Sequence, residues 1–160
     1  MTDFQTTDLC DAYPEVQVCE PIFKAFGKKI EFYGPIATVK VFEDNVRFLE
    51  ALESVPAGTV IVVDGGGSTR VALMGDRLGG IAESRGIAGV IIYGCVRDSA
   101  ELNQQNIAIR ALTTCPKKSF KRGEGTRDIP VTFASVIFTP GHYVYADEDG
   151  IIVSEKEINL

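Results

Sequence analysis

The sequence predicts a single α/β domain with a mixed central sheet flanked by helices, and three observations carry that expectation. Two apolar runs without polar alternation, Val60-Ile61-Val62-Val63 and Gly89-Val90-Ile91-Ile92-Tyr93, suit strands covered on both faces. A helical segment over about residues 76–85 lies between them, so the unit reads as a parallel crossover. The 160 residues, 45% of them hydrophobic, amount to one ordinary domain with a real core, and no repeat or linker divides residues 1–160.

Taken in order, residues 6–13 begin with capping side chains and stop at Pro14, which predicts one or two helical turns acting as a brace or lid. Residues 22–29 close on Gly27-Lys28-Lys29. A β-branched strand over 36–42 follows Gly34-Pro35. Glu43-Asp44 then puts negative charge at the start of a helix over 45–55, whose Val46, Phe48, Leu49 and Leu52 form an apolar stripe before Pro56-Ala57-Gly58 breaks it. After the strand at 60–63, Asp64-Gly65-Gly66-Gly67-Ser68 is a turn, and residues 69–74 read as a further short strand. Gly86 stops the helix at 76–85, and Gly94 closes the strand at 89–93. A short helix over 99–105 and a strand over 107–113 precede an exposed basic loop containing Lys117, Lys118, Lys121, Arg122 and Arg127. The tail reads as strands at 131–138, 143–146 and 151–153, joined as hairpins.

Composition excludes several function classes. A net charge of -6 argues against a general nucleic-acid-binding role, because neutralising phosphates needs surplus Lys and Arg. Cys10, Cys19, Cys95 and Cys115 lack C-x2-C spacing and read as reduced thiols of a cytoplasmic protein. The first residues lack the pattern of a signal peptide, and no apolar run approaches the roughly 20 residues of a membrane span.

The glycine run at 65–67 has neither G-x4-G-K-S/T nor G-x-G-x-x-G around it, so it reads as a tight turn rather than a nucleotide loop. Gly75-Asp76-Arg77-Leu78 is better placed, since a glycine ahead of a helix start leaves N–H donors for a small carboxylate. Arg97-Asp98 follows a buried strand, at the carboxyl end where open α/β sheets hold ligands. Taken singly, Asp76 is an N-cap and Arg97-Asp98 a surface ion pair. Their spacing, D-x20-R-D, puts both turns at one sheet end if the preceding strands are neighbours. Two carboxylates, a guanidinium and N–H donors would then suit a hard divalent cation and a carboxylate or enolate. His142, the only histidine, excludes a His-rich zinc site, and the absence of G-x-S-x-G weakens a Ser-His-Asp reading.

These residues, with Asp8-Leu9-Cys10-Asp11, 39–45, 62–68, 93–97 and 145–152, resemble the family of regulator of ribonuclease activity A and the 4-hydroxy-4-methyl-2-oxoglutarate aldolases that share its fold. The resemblance covers nearly the whole chain. It implies a swivelling β/β/α domain and a homotrimeric ring, or a dimer of such trimers, with sites between subunits. Carried over residue by residue, it implies that Asp98 binds Mg²⁺ or Mn²⁺ and that Arg97 contacts substrate. Gly75, Asp76, Arg77 and Leu78 would hold substrate through backbone N–H groups, with Asp76 also acting through metal-bound water.

Two functions travel with this resemblance. One is a metal-dependent lyase that cleaves 2-oxo acids to pyruvate as an aldolase or oxaloacetate decarboxylase. The other is a non-catalytic regulator that binds an RNA-degrading endonuclease and its helicase partner. The tail stops at Leu160, short of the acidic residue that longer aldolases supply to a neighbouring site, and His142 stands where relatives usually have Asp. Decarboxylation, which needs no base for a substrate hydroxyl, is therefore expected to be the more robust activity.

Overall fold

The central strands are apolar on both faces because a separate layer covers each face. In the computed structural model, which describes residues 3–160, the chain runs α1 (Thr6–Ala12), β1 (Gln17–Val18), β2 (Lys24–Phe26), β3 (Phe32–Lys40), α2 (Val46–Ser54), β4 (Val60–Asp64), β5 (Ala72–Met74) and α3 (Asp76–Ser84). It continues through β6 (Gly89–Val96), α4 (Ser99–Leu102), β7 (Ile109–Thr114), β8 (Thr126–Arg127), β9 (Val131–Phe133), β10 (Val136–Phe138), β11 (Tyr143–Asp147) and β12 (Gly150–Ser154).

Strands β3, β4, β6 and β7 are parallel neighbours in that order, and a helix lies in each connection. Phe48, Ala51 and Leu52 of α2, Leu78 and Ala82 of α3 and Leu102 of α4 bury one face of this sheet with Val39, Ile61, Val63, Val90 and Ile92. The intervening residues Ile36, Val60, Val62 and Ile91 face the other way, onto Val144, Ala146, Ile151, Val153 and the β9–β10 hairpin. Burying a side chain such as Phe48 or Leu52 contributes about 1.5–3 kcal/mol. Helix α1 lies beyond the antiparallel strands, where Leu9 packs on Tyr145 and Ile152. The molecule is thus a single α/β domain with a curled mixed sheet, layered helix, parallel sheet, antiparallel sheet.

Several boundaries differ from the sequence expectations. Strand β3 begins at Phe32 and runs through Gly34-Pro35 instead of starting after them. A Cβ at Gly34 would lie 2.2 Å from the Gly58 carbonyl oxygen, so the glycine serves close backbone approach rather than a turn. Pro35, which has no N–H, stands opposite Tyr143 where the ladder to β11 ends. The expected strand at 131–138 is two strands, because Ala134 and Ser135 both have positive φ (52° and 62°) and reverse the chain between Phe133 and Val136. That turn geometry normally selects Gly or Asn, and neither stands there to signal it. Strand β6 continues through Gly94 to Val96, with a register shift against β7 between Ile92 and Cys95. Strand β5 covers only Ala72–Met74 of the expected 69–74, and α4 is a single turn. The short strands β1 and β2 had no sequence signal. No helix among the described residues is long and apolar enough to cross a membrane.

Candidate active site

Strands β5 and β6 are hydrogen-bonded parallel neighbours, with Met74 beside Val96, so the turns that follow them lie side by side. The condition on which the D-x20-R-D argument rested is met. The Arg97 N–H donates to the Met74 carbonyl at 2.9 Å, and the Asp76 N–H donates to Oδ2 of Asp98 at 3.0 Å. Asp98 sits in the left-handed region (φ 56°, ψ 44°), a conformation that Asp tolerates better than most residues and that recurs at functional sites. Its carboxylate is thereby turned toward the start of α3 rather than capping its own helix.

Gly75 is the N-cap of α3 in extended conformation. A Cβ there would meet Asp98 Oδ2 at 2.5 Å and Arg97 Cγ at 3.3 Å, so only glycine leaves room for both side chains. Of the first α3 donors, the Asp76 N–H is taken by Asp98, whereas those of Arg77 and Leu78 have no protein acceptor among the described residues. Gln105 Nε2 donates to the Asp76 carbonyl at 2.9 Å and steadies the turn from the far side.

Gly75, Asp76, Arg77, Leu78, Arg97 and Asp98 all line one pocket of about 80 Å³, several times the roughly 10–15 Å³ that a single water requires. It suits a small acid. Arg97 and Asp98 do not pair with each other or with any other charged side chain among the described residues. The guanidinium is left available for a ligand, and the isolated reading of Arg97-Asp98 as a surface ion pair does not hold.

The pocket also includes Asn45, Lys118, Ser119 and Lys121, which the sequence reading did not single out as site residues. The basic run was visible, but its position was not, because it depends on Asp44. This side chain is 1% exposed and accepts the N–H groups of Val46 (3.0 Å) and Arg122 (2.7 Å), fastening the loop to the start of α2. Burial alone would push its carboxyl up, but the N–H groups of Val46, Arg122 and Glu124 outweigh that and hold it below the usual range.

The glycine run lies elsewhere in function. Gly65 and Gly67 N–H both donate to the Tyr93 carbonyl, Gly66 N–H to Asp64 Oδ1 and Ser68 N–H to the Gly65 carbonyl, so its donors are spent internally. Glu43 secures it from outside through Ser68 and Arg70, each at 2.6 Å. It is a turn, as expected. His142 lies in the Thr139–His142 turn, away from the pocket.

No group of three His, Cys, Asp or Glu comes together among the described residues, so this chain alone offers no closed metal cage. Asp98 and Asp76 in one pocket do fit a cation such as Mg²⁺, which takes one or two protein carboxylates and completes its shell with water and substrate.

The family profile described as "RraA-like: Aldolase/RraA" matches residues 6–153. The chain belongs to the RraA-like family. A Bacillus cereus relative, provisionally named 4-hydroxy-4-methyl-2-oxoglutarate aldolase, is 54% identical over 97% of this chain and 98% of its own length. A crystal structure from Geobacillus kaustophilus HTA426, described as an S-adenosylmethionine:2-dimethylmenaquinone methyltransferase, is 58% identical with a TM-score of 0.95, covering 97% of each chain. The RNA-processing inhibitor RraA from Thermus thermophilis is 42% identical, again with a TM-score of 0.95, over 99% of this chain and 96% of that one. RraA-like proteins named aldolases therefore share this chain's length, and length does not separate them from the regulators.

Proposed function

We propose that this RraA-like protein is a divalent-metal-dependent lyase that cleaves 2-oxo acids to pyruvate, acting on 4-hydroxy-4-methyl-2-oxoglutarate, on oxaloacetate, or on both. The observation that carries the reading is the convergence of Asp76, Arg97, Asp98 and the open N–H groups of Arg77 and Leu78 in one small pocket. The names of relatives at about 50% identity support it.

Asp98, with Asp76, would hold Mg²⁺ or Mn²⁺, which supplies Lewis-acid polarisation of the substrate when bound. The Arg77 and Leu78 N–H groups receive the 2-oxo acid's carboxylate at the positive end of α3. Arg97 donates to the keto oxygen, where negative charge develops as the bond two carbons away breaks. In retro-aldol cleavage Asp76 takes up the C4 hydroxyl proton through a water. The C3–C4 electron pair moves onto the keto oxygen as an enolate, the former C4 leaves as the carbonyl carbon of one pyruvate, and protonation at C3 gives the second. In decarboxylation the same electron flow releases CO2 and needs no hydroxyl base.

The oligomer implied by the family resemblance, a homotrimer, would let a neighbouring subunit contribute to the pocket. Regulation of an RNA-degrading endonuclease is the second reading, favoured by the 42% identity to the Thermus inhibitor. Methyl transfer is not carried over from the Geobacillus neighbour. The pocket's two carboxylates and guanidinium suit a small acid, and no G-x-G-x-x-G is present. The test is pyruvate release by purified protein with Mg²⁺. Release from either substrate above the metal-only control supports the lyase, and release from neither removes it.

A further inference from the structure

Gln105 does not line the pocket, yet its side chain holds a peptide that does. Its Nε2 donates to the Asp76 carbonyl at 2.9 Å, and that carbonyl shares a planar trans peptide with the N–H of Arg77. The two groups of such a peptide point opposite ways, so a bond that fixes the Asp76 oxygen also sets the direction of the Arg77 N–H. That N–H is one of the two donors at the start of α3 with no protein acceptor among the described residues. The same bond polarises the peptide and makes its N–H a stronger donor.

Stability alone does not account for this contact. Gln105 Oε1 is buried without a hydrogen-bond partner, a loss that an apolar side chain of similar shape would avoid. Gly79 stands inside α3, where glycine is less stable than alanine, and a Cβ there would lie 2.1 Å from Gln105 Oε1 and 2.8 Å from Leu102 Cδ2. The Gln105 backbone is fixed independently of the side chain: its N–H donates to the Leu102 carbonyl at 3.1 Å, and its carbonyl accepts the Lys28 N–H at 3.0 Å. Both departures from the more stable choice therefore serve one bond, the one to the Asp76 peptide.

We propose that Gln105 is a positioning residue, which orients and polarises the Asp76–Arg77 peptide so that the Arg77 N–H holds the carboxylate next to the keto group of a 2-oxo acid. This rests on the 2-oxo-acid reading of the pocket and names a residue that acts on the substrate without touching it. The carboxylate keeps its charge through C–C cleavage, so the Arg77 N–H binds it alike in ground state and transition state. Loss of Gln105 therefore raises KM and leaves kcat nearly unchanged. A residue that merely braced α3 would behave differently. Its loss would shift the helix start, disturb the Asp76–Asp98 bond and lower both kcat and the melting temperature.

The deciding experiment follows the Arg77 and Leu78 backbone amides by heteronuclear NMR while pyruvate is titrated in with Mg²⁺ present, and it needs no turnover. Gln105→Leu removes the donor and keeps the bulk. Its Arg77 amide resonance should already be displaced in the free protein, with that of Leu78 much less affected. Its pyruvate affinity should fall about three- to tenfold, with the melting temperature held within about 2 °C because a buried unpartnered acceptor is lost as well. Steady-state assays should show KM raised by the same factor and kcat within about twofold of wild type. Gly79→Ala, whose methyl displaces the Gln105 amide while favouring the helix, should reproduce the affinity loss. Unchanged affinity in both variants, a fall in kcat with KM retained, or an affinity loss that tracks a lower melting temperature in both overturns the proposal. Wild-type protein that releases no pyruvate from either substrate but binds pyruvate in a Gln105-dependent way removes the lyase and keeps the positioning role. Turnover with pyruvate affinity indifferent to both variants removes the positioning role alone, and failure to bind pyruvate removes both.

Discussion

The Asp76 N–H donates to Oδ2 of Asp98 at 3.0 Å, and this bond joins the start of α3 to the turn that follows β6. It makes one structure of two turns that are far apart in sequence. It also fixes the direction of the Asp98 carboxylate, which a left-handed backbone has already turned out of its own helix. The site is thus set by a small number of backbone constraints rather than by a dense side-chain network.

Gly75→Ala tests those constraints. The new methyl would sit 2.5 Å from Asp98 Oδ2 and must displace it, although the extended φ at position 75 is open to alanine. Pyruvate release should fall about a hundredfold, as for a misplaced catalytic group. Chemical denaturation should show a stability loss of no more than ~1 kcal/mol. Normal turnover in this variant would mean that Asp98 is not positioned as described.

Arg97→Lys keeps a positive charge but loses the planar fork. If Arg97 stabilises the developing enolate, steady-state kinetics should show a kcat reduced by roughly 10²–10³, with KM changed much less. A change confined to KM would instead assign Arg97 to ground-state binding.

How much of this was legible in the sequence depended on whether the signal was local. The parallel strands showed as unbroken apolar runs such as 60–63 because both faces are buried, and the helices showed through their apolar stripes and closing glycines. Asp76, Arg97 and Asp98, which line one pocket, could be singled out because each stands at an element end. Lys118, Ser119 and Lys121 were not assigned to the site, because what brings them there is Asp44, a side chain that looks like helix-start charge and serves as the anchor of a distant loop. The β9–β10 turn was illegible for a different reason: Ala134 and Ser135 adopt a backbone that their side chains do not favour.

Thr6→Val tests the brace formed by α1. The Thr6 hydroxyl and N–H both donate to Asp147, each at 2.7 Å. Burial pushes the Asp147 carboxyl up, but these two bonds and the Asp149 and Gly150 N–H groups outweigh it, so the carboxyl lies below its usual range. Because the folded-state value is depressed, the stabilisation is fully present above the ordinary Asp value of about 3.9 and disappears as pH falls through the lower folded-state value. Thr6→Val should therefore cost about 1.5–3 kcal/mol at pH 7. Its deficit should shrink toward zero in urea titrations carried below that range. A deficit independent of pH would assign the loss to packing alone.

We propose that Asp98 makes this pocket a metal-dependent lyase site. The most direct measurement is pyruvate release from 4-hydroxy-4-methyl-2-oxoglutarate and oxaloacetate across a Mg²⁺ titration, for wild type and Asp98→Asn. The amide oxygen that replaces the carboxylate in that variant can still accept the Asp76 N–H, so the fold and melting temperature should be preserved. Wild-type release should saturate with Mg²⁺ and vanish with chelator, and the variant should be at least ~100-fold slower at every Mg²⁺ concentration. Wild-type rates indifferent to chelator, or an Asp98→Asn variant that keeps pace with wild type, would contradict the account.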